Sequence, residues 1–70
     1  MKLTYDPKVD AVYIHLAKGK YSKTRKVSEA ILVDETEKGE ILGIEILDAQ
    51  QTIPAFNPKK TKLQVQSFKS

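Results

Sequence analysis

Apolar and polar residues alternate along most of the chain, and this period of two predicts strands rather than long helices. The alternation indicates a short strand at residues 3–5 and a longer one at 11–17. Both faces of the second strand are partly apolar, so we expect it to lie inside a sheet. Residues 21–27, YSKTRKV, alternate between two faces that both carry lysine or arginine. This is typical of a polar strand that protects a sheet edge.

The clearest element is a β-hairpin from Ile31 to Leu47. Two runs of β-branched and aliphatic residues flank the pair Lys38-Gly39, which supplies a turn. Gly43 stands inside the returning strand, and a glycine there often marks a bulge or a close backbone approach.

A short helical turn is expected after the hairpin, because Asp48 is a favourable helix N-cap and Pro54 ends the helix. The fold class is therefore mainly β with a small α contribution: an antiparallel β-meander of four to six strands with a short helical turn. We assign residues 1–54 to this β-meander domain. Residues 55–70 form a Pro/Lys-containing loop and a C-terminal strand or tail, with the strand pattern at 63–67.

The chain has 70 residues, which is enough for one domain that buries only about 60% of its unfolded surface. It contains no cysteine and one histidine, so disulfides are excluded and a structural zinc site is a poor match. We expect no cofactor. The remaining way to add buried surface is a partner chain, so we expect a homo-oligomer, with a dimer favoured, and leave a different protein partner open.

Localisation follows from what the chain lacks. No run approaches the roughly 18 apolar residues of a membrane-spanning helix, and the first residues have no apolar core of a signal peptide. With no cysteine, the composition fits a reducing compartment. We therefore expect a cytoplasmic protein that does not enter the membrane.

Charge divides the chain into three segments. Residues 1–28 carry +5, residues 29–48 carry −6 and residues 49–70 carry +4, for a net charge of +3. The acidic segment can pair with basic neighbours inside the fold or across an interface, or all three segments can simply be solvated.

Two stretches resemble a small bacterial family catalogued as domain of unknown function 2283. Residues 5–14, YDPKVDAVYI, are similar to its opening "YD…D…YI". Residues 31–34, ILVD, and 39–49, GEILGIEILDA, are similar to its second motif, "vD…G…GIEiLdA". The family often carries a second Asp in the turn, where this chain reads Glu-Thr-Glu.

The resemblance implies a compact β-meander with a short helical turn after the last motif strand. It implies no activity, because the family has no established one. Members resembling it stand beside toxin-like genes in some genomes, which implies an antitoxin-like or accessory role.

The chain offers one weak polar or interface site, made of Tyr13, His15, Gly43 and Glu45. His15 shares a strand face with Tyr13, and histidine is the usual general base near neutral pH. Catalysis would also require a nucleophile and an orienting acid nearby, for which Glu45 or Asp34 are candidates. The structural alternative is an ordinary half-buried or surface histidine.

Glu45 stands among apolar residues next to Gly43 and must be hydrogen-bonded, paired or wet. Lys23, Arg25 or a neighbouring chain are its candidate partners. Four acids surround the hairpin turn and suggest a calcium site: Asp34, Glu35, Glu37 and Glu40. They have neither EF-hand spacing nor flanking helices, so we expect the turn to be solvated instead.

Three functions stay open on the sequence. The first is a non-enzymatic protein-interaction module that self-associates or binds a partner protein. The second is a nucleic-acid binder that uses the basic residues 18–26 and 59–62, with Tyr21 and Phe56 offering stacking. The third is a small enzyme around His15. We favour the first, and expect no enzyme, because the signatures of known catalytic and phosphate-binding loops are missing.

Overall fold

A computed structural model describes residues 1–62, 64 and 66, and it contains one antiparallel sheet followed by a helical turn. The fold class predicted from the alternation is confirmed. The predicted strand at 63–67 depends on residues 63, 65 and 67, which lie outside the described residues. The elements are β1 (Lys2–Asp6), β2 (Ala11–His15), β3 (Lys23–Ser28), β4 (Ile31–Glu35), β5 (Ile41–Ile46) and α1 (Ala49–Thr52).

The strands lie in the order β1-β2-β5-β4-β3, so the sheet joins a hairpin to a three-stranded meander. The joint is the antiparallel pair β2–β5, which brings distant parts of the chain together. The connection from β2 to β3 passes the ends of β5 and β4. It is hydrogen-bonded there, from the Leu16 amide to the Leu42 carbonyl at 2.9 Å and from the Ser22 amide to the Glu35 carbonyl at 2.9 Å.

The hairpin predicted from Ile31 to Leu47 is formed by β4 and β5. Its turn is closed by the Thr36 amide, which donates to the Glu40 carbonyl at 2.9 Å, and by the Gly39 amide, which donates to the Thr36 carbonyl at 3.0 Å. Gly39 has a φ of 87°, a conformation that glycine adopts without steric cost.

One face of the sheet, here called the covered face, packs against α1 and the residues after it. Val12 of β2 is 1% exposed and forms the core cluster with Ala49 and Phe56. The ring of Tyr5 in β1 lies 5.2 Å from the ring of Phe56, centroid to centroid. Phe56 therefore ties the chain beyond residue 54 to the core of the sheet.

The short helix is held in place by the turn between β1 and β2. Asp48 occupies the N-cap position, but its side chain makes no capping hydrogen bond, contrary to the sequence expectation. Asp10 does this instead: its carbonyl accepts from the Ala49 amide at 2.8 Å and its Oδ2 from the Gln50 amide at 3.2 Å. The Tyr5 hydroxyl donates to Asp10 Oδ1 at 2.7 Å, which joins β1 to the same cap.

The described strands form a sheet with two edges, β1 and β3. All six residues of β3 are exposed, which confirms the polar edge strand predicted from its lysines, although it begins at Lys23 rather than residue 21. The pairing of β3 with β4 shifts register between Lys26 and Ser28. Within the described residues, no helix is long and apolar enough to cross a membrane.

Candidate functional site

The four residues of the predicted polar site lie together on the sheet face opposite the covered face. Tyr13 stands opposite Glu45 in the register of β2 and β5, and His15 stands opposite Gly43. Along β2, the side chains of Tyr13 and His15 point to the side opposite that of Val12, which faces the core. Among the described residues no helix lies over this side of the sheet, and we call it the open face.

Tyr13 crosses the open face above Gly43. Its hydroxyl donates to Oδ2 of Asp34 on β4 at 2.8 Å, so one side chain spans from β2 over β5 to β4. A Cβ at position 43 would lie 2.5 Å from Cζ of Tyr13 and 2.9 Å from the carbonyl oxygen of Ile14. Only glycine leaves room for the ring, which accounts for the glycine inside the strand.

Asp34 is the centre of a hydrogen-bond chain that continues to the β3 edge. Oγ1 of Thr24 donates to its Oδ1 at 2.6 Å, and because that hydroxyl has no second hydrogen, the Tyr21 hydroxyl donates to Oγ1 of Thr24 at 2.7 Å. Asp34 is one of the candidate acids predicted from the sequence, whereas Thr24 was not predicted. Thr24 lies opposite Asp34 in the β3–β4 pair, so its hydrogen bond to Asp34 can be predicted only once the pairing of these two strands is known.

The surroundings of Tyr13 strongly disfavour its ionised form. Burial raises the pKa of the phenol to about 12, and the hydrogen bond to Asp34, the charge of Asp34 and the charge of Glu45 act in the same direction. Tyr13 is therefore a neutral hydrogen-bond donor at physiological pH. A nucleophile or base would require the opposite shift.

His15 is exposed, and its neighbours do not activate it. Its Nε2 lies 3.2 Å from Oγ1 of Thr4, and its ring meets the ring of Tyr13 edge to face with centroids 4.4 Å apart. In the part of the chain that the structure describes, no carboxylate forms a hydrogen bond to His15. The candidate acid Asp34 is engaged by Tyr13 and Thr24 instead.

Glu45 is half-buried on the open face, and no described residue forms a hydrogen bond or ion pair with its carboxylate. Arg25, one of the partners predicted for it, binds a different acid. Its Nε lies 3.3 Å from Oε1 and its Nη2 3.2 Å from Oε2 of Glu35, a side chain on a residue only 7% exposed. The expectation that Arg25 pairs with Glu45 is therefore wrong.

The acids around the hairpin turn do not form a cation site. Successive residues of a strand point to opposite faces, so Asp34 belongs to the open face and Glu35 to the covered face. No group of three His, Cys, Asp or Glu side chains able to hold a metal occurs among residues 1–62, 64 and 66.

The two basic groups of the chain are spread along the sheet. Residues 23–26 belong to β3 at one edge. Lys18 and Lys20 lie on the connection from β2 to β3, which passes the ends of β5 and β4. Residues 59–62 follow Phe56, which packs on Tyr5 of β1 at the other edge.

The chain is thus a small single-sheet protein with one covered face and one open face that carries a tyrosine–aspartate–threonine hydrogen-bond chain. It belongs to the family described as "Protein of unknown function (DUF2283)", whose model matches residues 2–50. The match includes both motifs on which the resemblance was based and runs from β1 into α1. Searches of curated proteins and of solved structures returned no significant match.

Proposed function

We propose that the protein is a cytoplasmic, non-enzymatic protein-interaction module that associates with a second copy of itself. The observation that carries the proposal is the small core of the sheet, which is packed on one face only. α1 and Phe56 cover one face, whereas the described residues place no element over the other. A small domain packed in this way gains stability when a second chain adds buried surface.

The size of the core supports the need for a partner. Among the described residues, Val12 is the largest side chain that is fully buried. The other buried apolar residues include two alanines and three side chains that keep 6–9% of their surface exposed: Ala11, Ala49, Val33, Leu42 and Phe56. A core of this size supplies only a few kcal/mol beyond the conformational entropy lost on folding.

Two observations favour this role over the alternatives. On the open face, the hydrogen bonds of Asp34 go to Tyr13 and Thr24 and leave His15 with Thr4 alone, which does not make a catalytic triad. The ring of Phe56, one of the two aromatic side chains predicted to offer stacking, is 8% exposed and packs against Tyr5 and Val12, so it does not face a nucleic-acid base.

Sedimentation equilibrium over a range from low micromolar to near-millimolar protein tests the proposal. We expect the weight-average mass to rise from that of one chain towards that of two, and the midpoint of urea unfolding to rise with protein concentration. A protein that stays monomeric over the whole range would overturn self-association.

A further inference from the structure

The sheet offers two edges for pairing with another strand, and they differ in charge. In the part of the chain that the structure describes, strands β2, β5 and β4 each have a neighbour on both sides, which leaves β1 and β3 as edges. β3 carries Lys23, Arg25 and Lys26 without an acid, so two copies of β3 side by side would place like charges together. β1 carries one charge of each sign, Lys2 and Asp6, at its two ends.

We infer that two copies of the chain associate by antiparallel pairing of β1 with β1, centred on Thr4, to give one continuous ten-stranded sheet. This inference rests on the proposed self-association and names its surface. In this register Lys2 of each copy stands opposite Asp6 of the other, Leu3 stands opposite Tyr5, and Thr4 stands opposite itself. Opposite charges, aromatic–aliphatic contacts and threonine pairs are the cross-strand combinations that stabilise antiparallel sheets.

The register also keeps like faces together. A two-fold axis perpendicular to the sheet makes the covered face of one copy continuous with that of the other. Leu3 and Tyr5 are half-buried and pack against the core cluster within one chain. Across the axis they would meet the same pair of side chains from the second copy, so the two small cores would join along β1.

Packing of two open faces against each other is disfavoured by their charge. Glu45 lies on β5, the middle strand of the sheet, and Asp34 lies on β4, the strand beside it. Face-to-face packing would bring Glu45, whose carboxylate no described residue pairs, into the interface from both copies, with the cost of desolvating unpaired charge. The β1 edge, in contrast, places each of its charges opposite one of the other sign.

A charge exchange at the ends of β1 tests the register. Lys2 and Asp6 are both exposed, so changing them leaves the core untouched. In Lys2→Glu the substituted position faces Asp6 of the second copy, and in Asp6→Lys it faces Lys2. We expect each single variant to raise the dimer dissociation constant about tenfold or more at low salt, because the interface contains the pair twice.

The two single variants mixed together are expected to form a heterodimer near the wild-type affinity, since every charge then faces its opposite. The double variant Lys2→Glu/Asp6→Lys is expected to recover homodimer formation. Lys26→Glu on β3 is the matched control, and its only described ion pair, with Glu29, joins side chains that are 57% and 96% exposed. It should leave dimer formation unchanged.

Hydrogen exchange on the unmodified protein gives a readout that does not depend on how the variants fold. Amides of β1 should become more protected as protein concentration rises, whereas those of the β3 edge should not. If the protein dimerises but the charge variants and the β1 amides do not respond, the β1 register is wrong while self-association stands. If the unmodified protein is a monomer throughout, the proposed function itself fails.

Discussion

At the scale of single residues, Tyr13 connects more of the open face than any other described side chain. It lies above Gly43, donates to Asp34 and meets the ring edge of His15. Its neutral form is favoured by burial and by the negative charges around it. The pKa of the Tyr13 phenol therefore reports whether these contacts on the open face are formed.

We expect the protein to lose stability as the pH rises from about 10 to about 12. The pKa of Tyr13 is 10.0 when unperturbed and about 12 in the fold, so the folded state binds the proton more tightly. The stability that Tyr13 contributes through this difference is complete below its pKa in the unfolded state. It is lost as the pH rises through its pKa in the folded state. Urea unfolding at several pH values measures the loss, and the absorbance of tyrosinate follows the ionisation.

Tyr13→Phe is the control for this pH dependence. It should remove the tyrosine that titrates near pH 12 and flatten part of the decline. The pKa of Tyr5 is also raised, chiefly because its hydroxyl donates to Asp10, so Tyr5 contributes to the decline that remains. An unchanged pH profile in Tyr13→Phe would contradict the assignment.

Gly43→Ala should destabilise the fold by about 1–3 kcal/mol, the usual cost of forcing an extra methyl into occupied space. The new Cβ would overlap the ring of Tyr13 and displace its hydroxyl from Asp34. The pKa of Tyr13 should fall towards its usual value as a result. In a Tyr13→Ala background the penalty should shrink, leaving only the contact with the Ile14 carbonyl, and a double-mutant cycle in urea measures the difference.

At the scale of elements, α1 shows a helix that depends on a neighbouring turn. Four residues are too few for a helix to be stable alone. The backbone and carboxylate of Asp10 hold its first amides, and the hydroxyl of Tyr5 holds Asp10 in turn. The helix thus docks on the β1–β2 hairpin and covers one face of the sheet.

Asp10→Gly and Asp48→Gly form a matched pair that tests this arrangement. Both aspartates have a positive φ, 54° and 47°, which suits glycine. Asp10→Gly removes the carboxylate that accepts from the Gln50 amide and the Tyr5 hydroxyl but keeps the carbonyl that accepts from the Ala49 amide, so it should cost about 1 kcal/mol relative to Asp48→Gly. Asp48→Gly removes no capping bond and should leave the free energy of unfolding nearly unchanged, and equal effects in urea unfolding would argue against the cap.

Local pattern was enough to predict most elements but not their partners. Alternation and the Lys38-Gly39 turn predicted the hairpin, because both depend on residues close in sequence. The cap of α1 was assigned to Asp48, whereas the residue that supplies it is 40 positions away from Gln50. Such a contact leaves no local signal.

At the scale of the whole molecule, the order of strands decides which side chains meet. The sequence analysis placed Tyr13, His15, Gly43 and Glu45 in one candidate site, and the β2–β5 pairing puts them on one face. The strand pairing itself could not be predicted, because β2 and β5 are separated by two other strands in the chain. The hydrogen bonds of Asp34 were missed for the same reason.

Phe56→Ala should destabilise the protein by about 3–5 kcal/mol, the usual cost for a buried phenylalanine. Phe56 is 8% exposed and belongs to the core cluster with Val12 and Ala49, so the loss spreads to both sheet and helix. Phe56→Leu, which keeps most of the volume, should cost less than about 1.5 kcal/mol. Thermal unfolding followed by circular dichroism compares them, and similar melting temperatures would contradict the role of Phe56.

The unequal edges of the sheet have a consequence for how far assembly can proceed. β3 combines exposed cationic side chains with a register irregularity at Lys26, and both features discourage further strand addition. Among residues 1–62, 64 and 66, β1 is then the edge that is left to pair. The proposed interface uses this edge twice, so it would be isologous and would close after two subunits without propagating into a filament.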